Sequence, residues 1–438
     1  MHGWEWWAGL SLIHGRLHDL VIATAVLGLL LLALRRDRSW WARRVPIAVA
    51  AAALLLALVW LYMQVAKPWP DGLPPAVIAW IGVGLLGVTL LGVGWGGQRW
   101  WVRVPAVGAA VLVVLGAAVG VDTEYGSFPT VGTALQLPPY DNANPATVLG
   151  TAAPMTTAPV HGMPLSQIWQ PPSDVPPHGV VTQVSVPSTR SGFSARPAWV
   201  YLPPAYLSSN RPVLPVLFLI GGQPGSPRDW LDGGRLAHRM DEWARAHGGL
   251  APVVVMPDSL GSELANPLCM DSALGRADTY LTQDVVAWVT STLQVDTDHA
   301  HWAVGGFSYG GTCALQLAVA HPDLFPTFWD VSGQQGPSLG DRARTVAATF
   351  HGDQAAFDSV DPMKELAQRR FPGSAAFIDV GAQDRDYRPQ ALAVAAAARA
   401  AGMAVTYREL SGTHNWEVWG PGFDVATPWL ASRLGLTP

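Results

Sequence analysis

Four apolar runs occupy most of the first 121 of the 438 residues, at 17–34, 45–65, 74–95 and 102–121. Each has about the ~20 residues a helix needs to cross the ~30 Å hydrocarbon core of a bilayer, where every backbone N–H and C=O must be paired within the segment. Four transmembrane helices are therefore expected. The first loop carries Arg35, Arg36, Arg38, Arg43 and Arg44, the second only Lys67 with Asp71, and the third Arg99 and Arg103. Because cytoplasmic loops collect Lys and Arg, loops one and three are placed inside, which puts the N-terminus and everything after Val121 outside. Trp40, Trp41, Trp69, Trp95, Trp100 and Trp101 fall at the run ends, where an indole favours the headgroup level. His18 and Asp19 open the first run and are read as interfacial. No charge lies deep inside a run, so anchoring is the expected role and a proton relay or transport path is not. The arginines after the first run, in place of a small-residue cleavage site, argue that it is retained.

The charge divides with the hydropathy. Residues 1–121 hold nine Lys or Arg against four Asp or Glu, leaving 18 basic and 28 acidic residues for the remainder, a balance that argues against a nucleic-acid partner. Residues 122–179 are proline-rich, contain no Lys or Arg and show no sustained periodicity, and so read as an extended extracytoplasmic linker along which Leu165, Ile168 and Trp169 offer something to bury.

After Gly179 short β-type runs alternate with helical ones. Strands are expected at 180–186, 198–202, 213–220, 253–256, 302–306, 328–331, 376–380 and 405–410, and helices at 231–247, 277–292, 310–320, 362–370, 389–401 and 426–434. Such alternation implies a mostly parallel sheet flanked by helices. The parse is a transmembrane anchor at 1–121, a linker at 122–179 and a catalytic domain at 180–438.

Chemistry concentrates at Gly306-Phe-Ser308-Tyr-Gly310, a Gly-x-Ser-x-Gly pattern between the strand-like His301-Trp-Ala-Val-Gly305 and the helix-like residues 311–318. Strand, sharp turn, helix is the setting in which glycines let the chain turn tightly enough to expose a serine hydroxyl above a helix N-terminus. Downstream, Asp384 follows the strand ending Ile378-Asp-Val380, and His414 lies in a small-residue loop after the last strand, giving the order serine, acid, histidine of an α/β hydrolase. Ser308 is thus the candidate nucleophile, His414 the base and Asp384 the acid, with Asp386 and Asp330 as alternative acids. The apolar run Leu217-Phe-Leu-Ile220 enters a glycine-rich loop, Gly221-Gly222-Gln-Pro-Gly225, from which the Gln223 N–H would join the Tyr309 N–H as oxyanion donors. That loop lacks both the Lys-Ser/Thr of a phosphate loop and a Gly-x-Gly-x-x-Gly frame.

Three further groups of residues carry reactive side chains. Asp296-Thr-Asp298-His299-Ala-His301 holds metal-ligand residue types, yet two histidines at i and i+2 on an irregular turn point apart, so no metal is expected. Asp258 and Glu263 are read as rim residues. Cys269 and Cys313 form no Cys-x-x-Cys pair; outside the cell a disulfide between them is reasonable, with two buried thiols as the alternative.

Leu219-Ile-Gly-Gly-Gln-Pro-Gly225, Gly305-Gly-Phe-Ser-Tyr-Gly-Gly311, His321-Pro-Asp-Leu-Phe325, Gly381-Ala-Gln-Asp384 and Gly412-Thr-His-Asn-Trp416 follow one another over roughly three-fifths of the chain. In this region the chain resembles the bacterial esterase family that includes esterase D-like enzymes and the antigen 85 mycolyltransferases, and with its apolar segments it looks like the membrane-anchored members in actinobacteria. The resemblance implies an α/β-hydrolase fold and ester hydrolysis or acyl transfer in the cell envelope through an acyl-serine, without cofactor or metal. Gly221 departs from the pattern, standing where many relatives have His or Asp. Three functions remain on these grounds: an esterase, which is favoured, an acyltransferase to a sugar or lipid, and a non-catalytic envelope-binding protein, which the intact serine, acid and histidine disfavour. The charge asymmetry predicts that a periplasmic-type reporter fused after Pro438 is active outside the cell; activity only in the cytoplasm overturns the orientation.

Overall fold

Four helices of the computed structural model are long and apolar enough to cross a membrane: α1 (Gly15–Ala33), α2 (Val45–Ala66), entered through a π-turn at Trp40–Arg44, α3 (Pro75–Gly94) and α4 (Trp100–Tyr125). The structure describes residues 6–34, 37–68, 70–96, 98–149, 155–157 and 163–438; Arg35, Arg36 and Trp69, used above, lie outside them. By its internal contacts the chain divides into two compact units, Met1–Leu137 and Pro138–Pro438.

In the first unit α4 packs on α1 and α3, and α2 packs on α3. The contacts are made by small residues. A Cβ on Gly87 of α3 would lie 2.7 Å from the Val113 side chain, and one on Gly28 would lie 2.7 Å from the Ala109 carbonyl oxygen. Leu54, Leu58, Leu61 and Val65 of α2 point outward. Small inside and large apolar outside is the arrangement of a helix bundle whose solvent is lipid, because close backbone approach supplies the association that a hydrophobic effect cannot. Trp40 is buried, with Nε1 donating to the carbonyl of Ala33, the last residue of α1, at 2.7 Å. Trp41, Trp95, Trp100 and Trp101 stay exposed.

The second unit is built on eight strands: β1 (Val180–Val184), β2 (Ala198–Leu202), β3 (Val216–Ile220), β4 (Val253–Met256), β5 (Trp302–Phe307), β6 (Thr327–Val331), β7 (Ala375–Gly381) and β8 (Ala404–Leu410). Their order across the sheet is 1-2-4-3-5-6-7-8, parallel except where β2 meets β1 and β4. Every residue of β3, β4, β5, β6 and β7 is buried, which is why these strands read as continuous apolar runs, whereas the edge strand β8 is only partly covered.

The principal helices are α5 (Leu236–Ala246), α6 (Val285–Thr292), α7 (Tyr309–Ala320), α8 (Arg342–Phe350), α9 (Gln354–Asp358), α10 (Pro362–Gln368), α11 (Arg388–Ala400) and α12 (Trp416–Arg433). Alternate strand residues feed two cores. Val216, Phe218 and Ile220 of β3 pack with residues of α6, α7 and α11, while Leu217 and Leu219 pack with α5 and α12. This is the α/β-hydrolase fold.

Three helical expectations change. The helix expected at 231–247 is broken after Asp232, where Arg235 takes a left-handed backbone, φ 48°, and Gly233 and Gly234 leave room for the Trp416 indole and the Trp230 backbone. The last helix begins at Trp416, ten residues before the expected start, and continues through Pro421 and Pro428. Burial of Trp416, Val418, Trp419 and Phe423 outweighs the missing N–H groups there, since each large buried side chain contributes about 1.5–3 kcal/mol. Helices α8 and α9 were not anticipated; they close a small satellite core of Val346 and Phe357 with Leu268 and Met270.

Described residues of the proline-rich stretch after Leu137 are hydrogen-bonded within the second unit, residues 150–154 and 158–162 lying outside them. The Val181 N–H donates to the Asp141 carbonyl at 2.8 Å, the Leu165 N–H to that of Gly435 at 2.8 Å, and Trp169 Nε1 to that of Gly248 at 3.0 Å. Cys269 and Cys313 are joined in a disulfide across 44 residues, tying the loop after β4 to α7. A closed loop of that size restricts the unfolded chain by about 2–4 kcal/mol. Replacing Cys313 with Ser is therefore expected to lower the thermal midpoint of the protein by several degrees, and an unchanged melting curve would exclude this stabilisation.

Candidate active site

Ser308 sits at the turn from β5 into α7 with φ 55° and ψ −121°, a conformation costing about 1–3 kcal/mol for a residue with a Cβ. Its neighbours leave no alternative. A Cβ on Gly306 would meet the Gly310 backbone and lie 2.7 Å from the Ile220 carbonyl oxygen, and one on Gly310 would collide with that oxygen and lie 2.7 Å from that of Gly221. The motif glycines thus exist so that β3 and its loop can pass against the turn. The Ser308 N–H is secured to the Val331 carbonyl at 2.9 Å.

The sheet brings the other two members to it. His414 Nε2 lies 2.9 Å from Ser308 Oγ, and His414 Nδ1 lies 2.9 Å from Asp384 Oδ2. With a carboxylate acceptor at Nδ1 the ring proton belongs on that nitrogen, which leaves Nε2 to accept from the serine hydroxyl. Asp384 is buried and its Oδ1 accepts the Tyr387 N–H at 3.0 Å. Of the three acids considered, Asp384 is the one bonded to His414. Asp386 is exposed, and Asp330 is sealed beneath the turn, where Oδ1 accepts from the Gly333 N–H at 2.8 Å.

Ile220 pairs with Gly306 across the β3–β5 ladder, so Gly221, Gly222 and Gln223 emerge beside the serine turn. A Cβ on Gly222 would come within 2.5 Å of the Phe307 ring. Tyr309 opens α7, and the N–H of a first helical residue has no intrahelical acceptor. Its phenol accepts from the Cys269 N–H at 3.0 Å and donates to the Ser259 carbonyl at 3.3 Å, and burial pushes its pKa up.

The missing His or Asp at Gly221 has a structural answer that residue types alone did not reveal. Arg196 Nη2 donates to the Gly225 carbonyl at 3.0 Å, and the same guanidinium forms a two-point pair with Asp258, 2.7 and 3.1 Å. Asp258 is 1% exposed and also accepts the N–H groups of Arg196 and Gly261. It is an anchor of the glycine-rich loop, not a rim residue, since a carboxylate with that many donors is fully used by the fold. Asp229 adds a second tie, accepting from the Ser226 N–H and hydroxyl at 2.9 Å each; burial pushes its carboxyl up to about 6. The Gln223 side chain donates to the Leu264 carbonyl at 3.1 Å. The signal for all this was an arginine one strand away, and no local motif contains it.

The Asp296–His301 cluster is internally bonded. His301 Nδ1 pairs with Asp296 Oδ2 at 2.6 Å, which raises the imidazole pKa, and Asp298 caps the following turn through the Ala300 N–H. Among the described residues no three His, Cys, Asp or Glu side chains are grouped to hold a metal ion.

A hydroxyl, an imidazole and a carboxylate joined in this sequence are equipped to move a proton off the serine as it attacks a carbonyl carbon. The protein is a serine hydrolase of the α/β-hydrolase fold. The family model for esterases, "Putative esterase", matches residues 194–430, and the chain belongs to that family. An uncharacterized protein of Corynebacterium glutamicum is 31% identical over 443 residues, covering 98% of this chain and 99% of the relative. The diacylglycerol acyltransferase/mycolyltransferase Ag85A of Mycobacterium gordonae is 28% identical over 307 residues, covering 59% of this chain and 88% of that protein. Among solved structures a ferulic acid esterase shares the fold, with a TM-score of 0.51 and 20% identity over 59% of this chain and 99% of that one.

Beneath the site, burial pushes the Asp330 carboxyl up to about 7, against 3.8 for an ordinary aspartate. The folded state therefore holds a proton that the unfolded chain releases, and stability falls as pH rises from about 4 to about 7. Asp330→Asn lacks that loss while keeping an acceptor for Gly333. Its thermal midpoint relative to the unaltered protein should rise by several degrees between pH 5 and pH 8; parallel pH curves would show that Asp330 carries no buried proton.

Proposed function

We propose that this protein is a membrane-anchored, extracytoplasmic serine esterase that hydrolyses carboxylic esters of lipid or acylated envelope molecules. The observation that carries the reading is the chain of 2.9 Å contacts from Ser308 through His414 to Asp384. In this reading Ser308 Oγ attacks the ester carbonyl while His414 Nε2 accepts its proton. The oxyanion is held by the N–H groups of Gln223 and Tyr309, each such donor contributing about 3 kcal/mol to the transition state. The tetrahedral adduct collapses to an acyl-serine, and His414 returns the proton to the departing alcohol. Water, deprotonated by the same imidazole, then releases the acid. Asp384 keeps the ring proton on Nδ1 and stabilises the imidazolium formed twice per cycle.

Residues 1–121 are assigned to the anchor, 122–179 to the tether and 180–438 to catalysis. The four long apolar helices and the positive first loop support an outward-facing catalytic unit tethered to the bilayer. Similarity to a mycolyltransferase favours a second reading, transfer of the same acyl group to a sugar or lipid hydroxyl in place of water. The two share the first half-reaction and differ in the acceptor.

Ser308→Ala should abolish fluorophosphonate labelling and lower hydrolysis of a short-chain nitrophenyl ester by about 10⁴-fold or more. Persistence of either would remove Ser308 from the mechanism. With trehalose or glycerol added at high concentration, release of free acid alone supports the esterase, whereas a new acylated sugar or glyceride assigns the transferase.

A further inference from the structure

One residue touches both the acid and the base and has no part in the assignments above. Tyr387 lies three positions after Asp384, at the entrance to α11, and is 4% exposed. Its N–H donates to Asp384 Oδ1, the carboxylate oxygen that His414 does not use. Its ring lies over the imidazole of His414, with centroids 3.9 Å apart and planes 26° from parallel. A second aromatic, Trp419, stands perpendicular to the same imidazole at 5.0 Å and is itself stacked on Phe307, the residue before the serine, at 4.5 Å.

His414 needs such walls. It is carried by a short irregular segment, Ser411 to Asn415, between β8 and α12, and its side chain keeps 25% of its surface open. Among the described residues two hydrogen bonds define its ring, and rotation about the Cβ–Cγ bond breaks both at once. Stacked aromatic pairs bias an equilibrium by roughly 2- to 10-fold beyond the area they bury, enough to decide how often the ring is aimed correctly.

We propose that Tyr387 is a positioning residue for the catalytic base: its N–H orients Asp384, and its ring holds the plane of His414 so that Nε2 stays directed at Ser308 Oγ. The proposal rests on the Ser308–His414 reading of the site. Because the backbone bond to Asp384 survives substitution, side-chain variants isolate the ring. They act through His414, so their effect must vanish when His414 is absent.

The test uses the full chain in detergent micelles, with kcat and KM for a short-chain nitrophenyl ester and the fluorophosphonate labelling rate of Ser308. Tyr387→Leu is expected to lower kcat and labelling about tenfold with KM within about twofold. Tyr387→Phe, which keeps the ring, should stay within about twofold of the unaltered protein. In a His414→Ala background the residual rate should not change on adding Tyr387→Leu. Should the leucine variant fail to fold by its melting curve, Tyr387→Met is measured in its place with the same expectation. An unchanged kcat in the ring-less variant, an equal loss with phenylalanine, or an equal loss without His414 each overturns the proposal. Failure of the underlying reading looks different: activity would survive Ser308→Ala whatever occupies position 387.

Discussion

The left-handed backbone of Ser308 is the constraint to which the second unit is built. A serine with φ 55° is unfavourable by about 1–3 kcal/mol unless its surroundings over-determine it. Here the N–H is held by β6, the preceding glycine admits β3, and the following glycine admits the loop that leaves β3. Any side chain at Gly306 or Gly310 would push these layers apart, so the strain is bound up with the packing of the central strands. The presentation of the Ser308 hydroxyl to His414 is a consequence of that packing.

Two different kinds of chemistry hold the turn from its two sides. Below and behind it lies an aromatic cluster in which Trp230 meets Phe307, Trp329, Trp416 and Phe423 at centroid distances of 5.2–5.9 Å. Dispersion and area burial dominate there, and the cluster reaches the histidine through Trp419. Above it the loops are held by charge and covalency: the Arg196–Asp258 pair on the glycine-rich loop, and the disulfide with the Tyr309 phenol on the loop after β4. A buried carboxylate is useful in an ion pair only when its remaining acceptor sites are satisfied, and Asp258, buried beside the half-buried Arg196, meets that condition with backbone N–H groups. Apolar contacts thus set the depth of the site, and polar contacts set the shape of its rim.

The first unit follows the reverse rule. Its closest helix contacts run through alanine, glycine and valine, with Leu32, Leu90 and Trp40 also buried, while many of its leucines stay exposed, as suits helices that associate by backbones coming close. Trp40 ties the end of α1 to the turn that opens α2, its indole N–H donating to the Ala33 carbonyl.

Periodicity and residue order determined much of this protein by themselves. Runs of about 20 apolar residues have the length of membrane-crossing helices, all eight strands are readable from short β-branched and aromatic runs, and Ser308, Asp384 and His414 stand in their hydrolase order with local signals for each. What the chain order left open was settled by contacts between residues far apart. Which of three carboxylates reaches His414 depends on the register of β6, β7 and β8, and the anchor of the glycine-rich loop is an arginine from a different segment. The early start of α12 and the break before α5 were hidden because prolines and glycines forbid or permit a helix locally, while the Trp416 indole packed between them decides the outcome. Local pattern reports what a segment can become; burial, which acts only once distant segments meet, selects among those states.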